Sequence, residues 1–479
     1  MLPEKIDSLA DDVKLMVLEL LGQNSGLTAR VDELVAQNEA LVARVDELVA
    51  QNKALLARIA ELEAEHGKPP KTPDNSSLPP SRGQKGNVAE PTRVKKARKG
   101  HPGAARALAE NPDATRDIYA ERCACGAALT EAGQELARAW DHVDLPPIKP
   151  ITTRINLFRA TCPCCRARVT AQAPADMPEG SPFGPGIKAA VAYLHGCQMV
   201  GFKRLTELCE GLFGLTISQG AISNMLARMG KPLGAAAEQI AATVRGSEVI
   251  ASDETSARVK GKTHWQWTFG CATAVYHVIA PTRGKCVPTD FLAGARPKVW
   301  LSDRLPAQCT HAEAHQFCLA HLIRDAQYAI DHGDTIFAPQ FKAFLKDACA
   351  VGRRRPDLAD STIAAHRRRL DRELDRLLDL KPTDLEGSHL RATIAVTASD
   401  KLLVFLTRRD VEATNNNSER ALRPSVIFRT VTNGFRSQWG AKVYADLCSV
   451  VATGRLAGRS ALAAIRDALA ASAPKRITA

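Results

Sequence analysis

A heptad repeat in the first 66 residues is the sequence feature that most constrains the fold. Its leucines are Leu27, Leu34, Leu41, Leu48, Leu55 and Leu62. Asn24, Val31, Asn38, Val45, Asn52 and Ile59 alternate at the other apolar heptad position. Leucine at position d with β-branched residues at position a favours two parallel helices, and a buried asparagine fixes their register. We therefore expect residues 1–66 to form a leucine-zipper coiled coil that joins a homodimer or a larger assembly. The alternative is one amphipathic helix docked on its own chain.

The overall charge indicates the class of partner. The 479 residues carry a formal net charge of +12, and apolar residues make up 45%, enough for at least one full core. A basic surplus attracts polyanions, usually nucleic acid, although a basic protein without such a partner remains an alternative. Acidic residues within the first 13 positions argue against a secretory signal, and no apolar run reaches the ~20 residues that span a membrane. The 13 cysteines then predict reduced thiols and a metal site in a cytosolic chain.

Proline, glycine, serine and basic residues dominate positions 67–118, as in K-P-P-K-T-P-D-N-S-S and R-V-K-K-A-R-K-G. This composition opposes a packed core and predicts a flexible basic linker. Such a linker could follow DNA phosphates without reading bases, or it could simply be solvated.

Two cysteine clusters define the segment 119–180. They offer Cys123, Cys125, Cys162 and Cys165 as thiolate ligands. Four sulfurs can close a tetrahedral Zn²⁺ site, so the segment resembles a zinc ribbon. The first pair has C-x-C spacing instead of the usual C-x-x-C, and a metal-free segment with ordinary buried cysteines remains the alternative.

Residues 181–235 predict a helix-turn-helix DNA-binding region. Apolar periodicity marks helices at about 186–195, 202–213 and 219–229, and Ser218 suits the N-cap of the last one. The second helix of such a motif enters the major groove. Its outward polar residues here would be Ser218, Gln219, Ser223 and Asn224. Three packed helices that bind nothing would give the same pattern.

Predicted β-strands become frequent from about residue 245. Three strands, the second of them clearly alternating, a short helix at 286–292 and a fourth strand predict the beginning of an RNase H-like arrangement. Asp253 lies on the first strand and Asp303 at the end of the fourth. Residues 312–411 read as a mostly helical insertion. Beyond it, Glu419 falls in the first turn of a helix whose preceding Asn-Asn-Asn-Ser run is expected to cap it.

Three carboxylates on separate elements suit phosphoryl transfer. Mg²⁺ prefers hard oxygen ligands, and two such ions about 3.5–4 Å apart can clamp the attacking and leaving oxygens of a displacement. Arg420 and Arg423 would then lie against the DNA phosphate. Two alternatives stay open: Glu254 could be the ligand instead of Asp253, and Glu419 could be a carboxylate favoured only by the helix dipole.

Several motifs together resemble one family. They are N-S-S-x-P-P-S at 75–81, S-D-E-T at 252–255, W-L-S-D at 300–303, N-N-x-S-E-R-A-L-R-P at 415–424 and N-G-F-R-S-Q-W-G-A at 433–441. With the zipper and the cysteine pairs, they resemble transposases of the bacterial insertion sequence 66 family over nearly the whole chain. The resemblance implies a multidomain α/β protein with a DDE-type, RNase H-like catalytic domain at 245–435 and a helical tail at 436–479.

The resemblance also implies roles for individual residues. Asp253, Asp303 and Glu419 would be the metal-binding triad, with Glu254 a neighbour only. Cys318 and His321 form a C-x-x-H element that would brace the site or help hold DNA; a buried cysteine beside a half-exposed histidine is the plain alternative.

The implied activity is metal-dependent cleavage of the ends of an insertion sequence and their transfer to target DNA. The implied partners are double-stranded DNA and small accessory proteins of the element, in a bacterial cytoplasm near the nucleoid. A DNA-binding protein without catalysis and a metal-dependent nuclease are the alternatives.

Overall fold

The computed structural model describes residues 10–65, 71–72, 74–76, 106–180 and 182–471. Most of the predicted basic linker therefore lies outside the described residues. The chain divides into two compact units. The first consists of Met1–Arg82, Ile323–Lys342 and Leu377–Ala392. The second consists of Gly83–Leu322, Ala343–Arg376 and Thr393–Ala479.

The described residues form helices and strands in an α/β order. The helices are α1 Asp11–Glu65, α2 Pro185–Ala192, α3 Phe202–Phe213, α4 Gln219–Arg245, α5 Cys286–Leu292, α6 Leu319–His332, α7 Phe337–Arg354, α8 Asp360–Leu378, α9 Leu385–Thr393, α10 Asn416–Thr432, α11 Gln438–Leu456 and α12 Ala461–Ala471. The strands are β1 Arg159–Thr161, β2 Arg168–Thr170, β3 Val249–Val259, β4 Lys262–Gly270, β5 Val275–Ala280, β6 Val299–Ser302 and β7 Ala314–Phe317. No helix within these ranges combines the length and apolar character needed to cross a membrane.

The zipper segment is one continuous helix of 55 residues, α1. The repeat leucines Leu27, Leu34, Leu41, Leu48 and Leu55 are exposed in the single chain; Leu41, for example, is 64% exposed. Arg30 and Arg44 pair with Glu33 and Glu47 along the same helix. An exposed apolar stripe on a long helix is what a coiled coil presents before it meets its partner, and the pairing itself stays a prediction.

The same unit contains an ordered part of the predicted linker. Asn75 is buried, and its side-chain amide donates a 2.9 Å hydrogen bond to Asp331 Oδ2 on α6. The side chain of Asp334 caps α7 by accepting a 2.8 Å bond from the backbone N–H of Ala338.

The second unit is built around a five-stranded mixed sheet in the order β5-β4-β3-β6-β7. Strands β3, β4 and β5 are antiparallel neighbours, whereas β6 runs parallel to β3 and to β7. Buried aromatic residues fill the core beneath it, including Trp267, Phe269 and Trp300. The predicted α/β character is therefore confirmed, and α5 has the bounds that the sequence indicated.

Residues 312–411, predicted to be mostly helical, are helical over most of their length but begin with a strand, β7, that the sequence did not indicate. This strand is short, and its residues His315 and Gln316 are buried polar groups that break the apolar signature of a core strand. His315 Nε2 lies 2.9 Å from Ser302 Oγ, and Gln316 donates to the Leu402 carbonyl at 2.9 Å. Hydrogen bonds to neighbouring elements thus replace apolar packing at this edge.

The predicted helix-turn-helix segment folds as α2, α3 and α4. Ser218 caps α4 as expected, since its hydroxyl accepts a 3.1 Å bond from the N–H of Ala221. Helix α4 continues well past residue 229 to Arg245, and it shares one hydrophobic core with α11 and α12 through residues such as Leu233, Leu447 and Ile465. The segment is therefore integrated with the C-terminal helices.

Candidate active site

Two adjacent parallel strands position the predicted aspartates. The register pairs Ile250 with Trp300 and Ala251 with Leu301. Extending it by two residues brings Asp253 level with Asp303, which follows the last residue of β6. Neighbouring strands lie about 4.8 Å apart, so the two carboxylates start from adjacent backbone positions.

Glu254 points to the opposite face of β3, because successive residues of a strand alternate in direction. Its side chain is 1% exposed. Oε1 accepts two bonds from the Arg283 guanidinium, at 2.9 and 2.6 Å, and Oε2 accepts one from Gln308 at 2.6 Å. Arg283 also stacks over the Trp265 ring, 4.6 Å from its centroid. Both carboxylate oxygens of Glu254 are therefore occupied by protein donors.

Helix α10 carries Glu419 to the same region, and Asn415 attaches the helix start to the sheet. The Asn415 side-chain amide donates a 2.7 Å bond to the carbonyl of Ser252. Its backbone N–H donates to Cys318 Sγ at 3.2 Å, and its carbonyl accepts the N–H of Glu419. The prediction that this asparagine run caps the helix is wrong for the N-cap Asn415, whose side chain makes no cap bond because it is used for β3.

Burial and neighbouring negative charges act together on Asp253. Burial raises the pKa of Asp253 well above its ordinary value, and the charges of Glu254, Asp303 and Glu419 raise it further. Burial also raises the pKa of Glu254, with a further contribution from Asp303 that Arg283 opposes. Like charges held this close favour a neutralising cation.

The C-x-x-H element joins this cluster at Glu419. Cys318, His321 and Glu419 each offer a ligand atom, and these atoms lie within 4.8 Å of one another, the one such group among the described residues. His321 Nε2 is 3.7 Å from Glu419 Oε1. Burial raises the pKa of the Cys318 thiol to about 11. The Cys318 N–H donates to the Ser302 carbonyl at 2.8 Å, which links this element to the strand that precedes Asp303.

The two predicted phosphate-binding arginines line a cavity of about 850 Å³ between α10, α11 and the sheet. Both Arg420 and Arg423 are exposed. Arg420 is folded along the first turn of α10, where it donates to the Asn417 side chain at 2.9 Å. The cavity walls include none of Asp253, Asp303 and Glu419, so the arginines and the carboxylates do not line one cavity.

The predicted base-reading residues occupy the start of α4. Ser218, Gln219 and Asn224 are exposed, and Ser223 is half-buried.

The predicted zinc ligands form two separate pairs. Cys123 and Cys125 interact through their thiols, as do Cys162 and Cys165, and β1 pairs with β2 around the second cluster. Hydrogen bonds lower the pKa of Cys125 and of Cys162. No three of these sulfurs meet within the described residues at the spacing found for the Cys318 group, so zinc binding there stays a prediction.

Sequence reasoning missed three residues that shape the site: Asn415, Arg283 and Gln308. Asn415 belongs to a polar run that reads as capping groups, so its bond to β3 has no local signal. Arg283 lies in a loop and Gln308 in a short 3-10 helix, and only the fold brings them to Glu254.

Comparison with known families identifies the family of the chain. No curated protein sequence matches the chain. The family model described as transposase IS66 family matches residues 180–443, which contain the sheet, both aspartates, the C-x-x-H element and α10. Because the match covers more than half of the chain, this protein belongs to the IS66 transposase family.

Proposed function

We propose that this chain is a DDE-type transposase that cuts the ends of its insertion sequence and joins them to target DNA. Its catalytic domain would be RNase H-like, with the mixed sheet bearing Asp253 and Asp303 and α10 bearing Glu419. The observation that carries the proposal is the parallel pairing of β3 with β6, whose register brings Asp253 level with Asp303.

The residues present fit a divalent metal site. The donors are hard carboxylate oxygens, as Mg²⁺ requires. Burial and the charges of the neighbouring carboxylates raise the pKa of Asp253, and a bound cation would offset both effects. Asp253, Asp303 and Glu419 would hold the metal, while Glu254 is engaged by Arg283. When bound, a pair of Mg²⁺ ions would activate the attacking oxygen and stabilise the leaving oxygen.

Side chains of the protein would position the carboxylates and bind the DNA. Asn415 and Cys318 fix the spacing between β3, β6 and α10, and this preorganises the carboxylates. Arg420 and Arg423 would bind DNA phosphates next to the carboxylates, with the start of α4 reading the element end. The nucleophile would be water for cleavage and the freed 3′-hydroxyl for joining.

Helix α1 would bring two or more copies together so that two element ends are held at once. Its exposed leucine stripe supports this role.

A strand-transfer assay tests the proposal. The reaction contains the full chain, labelled DNA carrying the ends of its element, a target plasmid, Mg²⁺ and the accessory proteins of the same element. Asp303→Ala should abolish both cleavage and joining. Asp290→Ala, at an exposed position of α5, is the matched control and should remain active.

The products distinguish the alternatives. Cleaved ends without joined product would favour a nuclease. Binding of the DNA without metal-dependent cleavage by the unaltered chain would favour a non-catalytic DNA-binding protein.

A further inference from the structure

Glu419 presents its two carboxylate oxygens to different surroundings. The side chain is 31% exposed, yet Oε1 is buried and has no hydrogen-bond partner. Oε1 lies 3.7 Å from Nε2 of His321, and the other nitrogen of that ring, Nδ1, is also buried without a partner. Buried polar atoms without partners are costly in a folded protein unless something else binds them.

The sulfur of Cys318 is a third potential ligand atom, softer than the imidazole nitrogen and the carboxylate oxygen. Cys318 Sγ lies within 4.8 Å of the His321 and Glu419 ligand atoms, and it already accepts the N–H of Asn415. Sulfur, imidazole nitrogen and one carboxylate oxygen match the protein ligands of an open zinc site. Bonds of about 2.0–2.3 Å in a tetrahedron separate ligand atoms by roughly 3.3–3.8 Å. The distance of 3.7 Å between His321 Nε2 and Glu419 Oε1 agrees with that geometry.

We infer that Cys318, His321 and Glu419 Oε1 form a second kind of metal site, which takes a borderline-soft divalent cation such as Zn²⁺. The inference rests on the proposed function in one respect, since it makes Glu419 a bridge between this cation and the magnesium site. Oε1 of Glu419 would bind the borderline-soft cation, and Oε2 of the same carboxylate would bind Mg²⁺. Sulfur and imidazole disfavour Mg²⁺, so the two sites differ in the ion that they select.

The bound cation would hold Glu419 in place. A glutamate in the first turn of a helix has several accessible rotamers, and fixing one of them lowers the entropy lost when the magnesium site assembles. The site needs no displacement of α10, because Oε1 already faces His321.

Cobalt spectroscopy tests the site without depending on activity. The full chain is prepared with Cys123, Cys125, Cys162, Cys164 and Cys165 changed to serine, which removes the thiolates of the predicted zinc-ribbon segment. Titration with Co²⁺ alone should give one equivalent of a sulfur-to-cobalt charge-transfer band, and Zn²⁺ should displace it. Cys318→Ser should remove the band, and His321→Gln should weaken Co²⁺ binding by at least about tenfold.

Two controls make the result decisive. Cys209→Ser replaces an equally buried cysteine in another part of the fold and should keep the band. Asp303→Asn should keep the band while losing Mg²⁺-dependent cleavage, so the two proposals can fail separately. Absence of a band in the starting protein, or its persistence in both Cys318→Ser and His321→Gln, would overturn the inference.

Discussion

The side-chain amide of Asn415 donates a 2.7 Å hydrogen bond to the carbonyl of Ser252, and this bond ties the start of α10 to the strand that carries Asp253. Asn415 is 1% exposed, so water cannot replace the bond. The three proposed metal ligands come from distant parts of the sequence, and their relative positions depend on contacts of this kind.

Asn415→Ala should therefore impair cleavage more than it impairs folding. Loss of the buried bond leaves the Ser252 carbonyl unpaired and should lower the free energy of unfolding by about 1–3 kcal/mol. Cleavage should fall at least about tenfold at saturating Mg²⁺, because Glu419 is no longer fixed relative to Asp253. Asn416→Ala changes an exposed neighbour and should leave both quantities nearly unchanged. Equal activity of the two variants would show that Asn415 has only a structural role.

Asp253→Asn should abolish cleavage and stabilise the protein. The ordinary pKa of this carboxyl is 3.8, and burial together with neighbouring carboxylates raises it in the folded state. Protonated Asp253 therefore favours folding at low pH, and this stability is lost as pH rises through the raised pKa. The asparagine side chain is neutral at every pH and does not lose this stability. Asp253→Asn should therefore raise the free energy of unfolding by about 0.5–2 kcal/mol near neutral pH. Unfolding in EDTA at several pH values measures the gain, which should shrink towards pH 4.

Glu254 lies on the face of β3 opposite to Asp253, so we expect its substitution to affect cleavage and stability differently. Arg283→Met should leave the buried Glu254 carboxylate without its guanidinium and lower the free energy of unfolding by about 1–3 kcal/mol. Adding Glu254→Gln should recover part of that loss, and the double-mutant cycle measures the coupling. Glu254→Gln alone should retain cleavage within about a hundredfold, the range of a residue that supports metal ligands. A complete loss equal to that of Asp253→Asn would make Glu254 the ligand.

Much of this arrangement could be predicted from the sequence, and the reasons differ by element. Strand β3 begins with alternating buried and partly buried residues and β6 is a short buried run, so their existence and order follow from local patterns. Strand β7 could not be predicted, because its buried residues His315 and Gln316 are polar and depend on partners in other elements. The role of Asn415 likewise lies in a contact across 163 positions of the chain, which no local pattern encodes.

His277 should make the fold sensitive to mild acid. It is buried on β5, with Nδ1 3.3 Å from the Gln266 amide, and burial lowers its pKa from 6.5 to about 4. Since the unfolded chain binds the proton more readily, stability is full above pH 6.5 and falls as pH drops towards 4. At about 1.4 kcal/mol per pKa unit, the loss should approach about 3 kcal/mol. Chemical denaturation between pH 7 and pH 4 should show this slope. His277→Gln should reduce it, whereas His389→Gln, at an exposed position, should not.

Helix α1 should set the assembly state. Leu41 occupies a d position and is 64% exposed in the single chain, while Ala43 lies two residues further on, outside the a and d positions. Leu41→Asp would bury a charge in the coiled-coil seam and should convert the assembly to a smaller species. Ala43→Asp adds the same charge outside the seam and should keep the assembled mass in analytical ultracentrifugation. If joining of two ends in one complex requires the coil, Leu41→Asp should also lose paired-end products while single-end binding persists. An unchanged mass for Leu41→Asp would instead mean that α1 docks as a single helix.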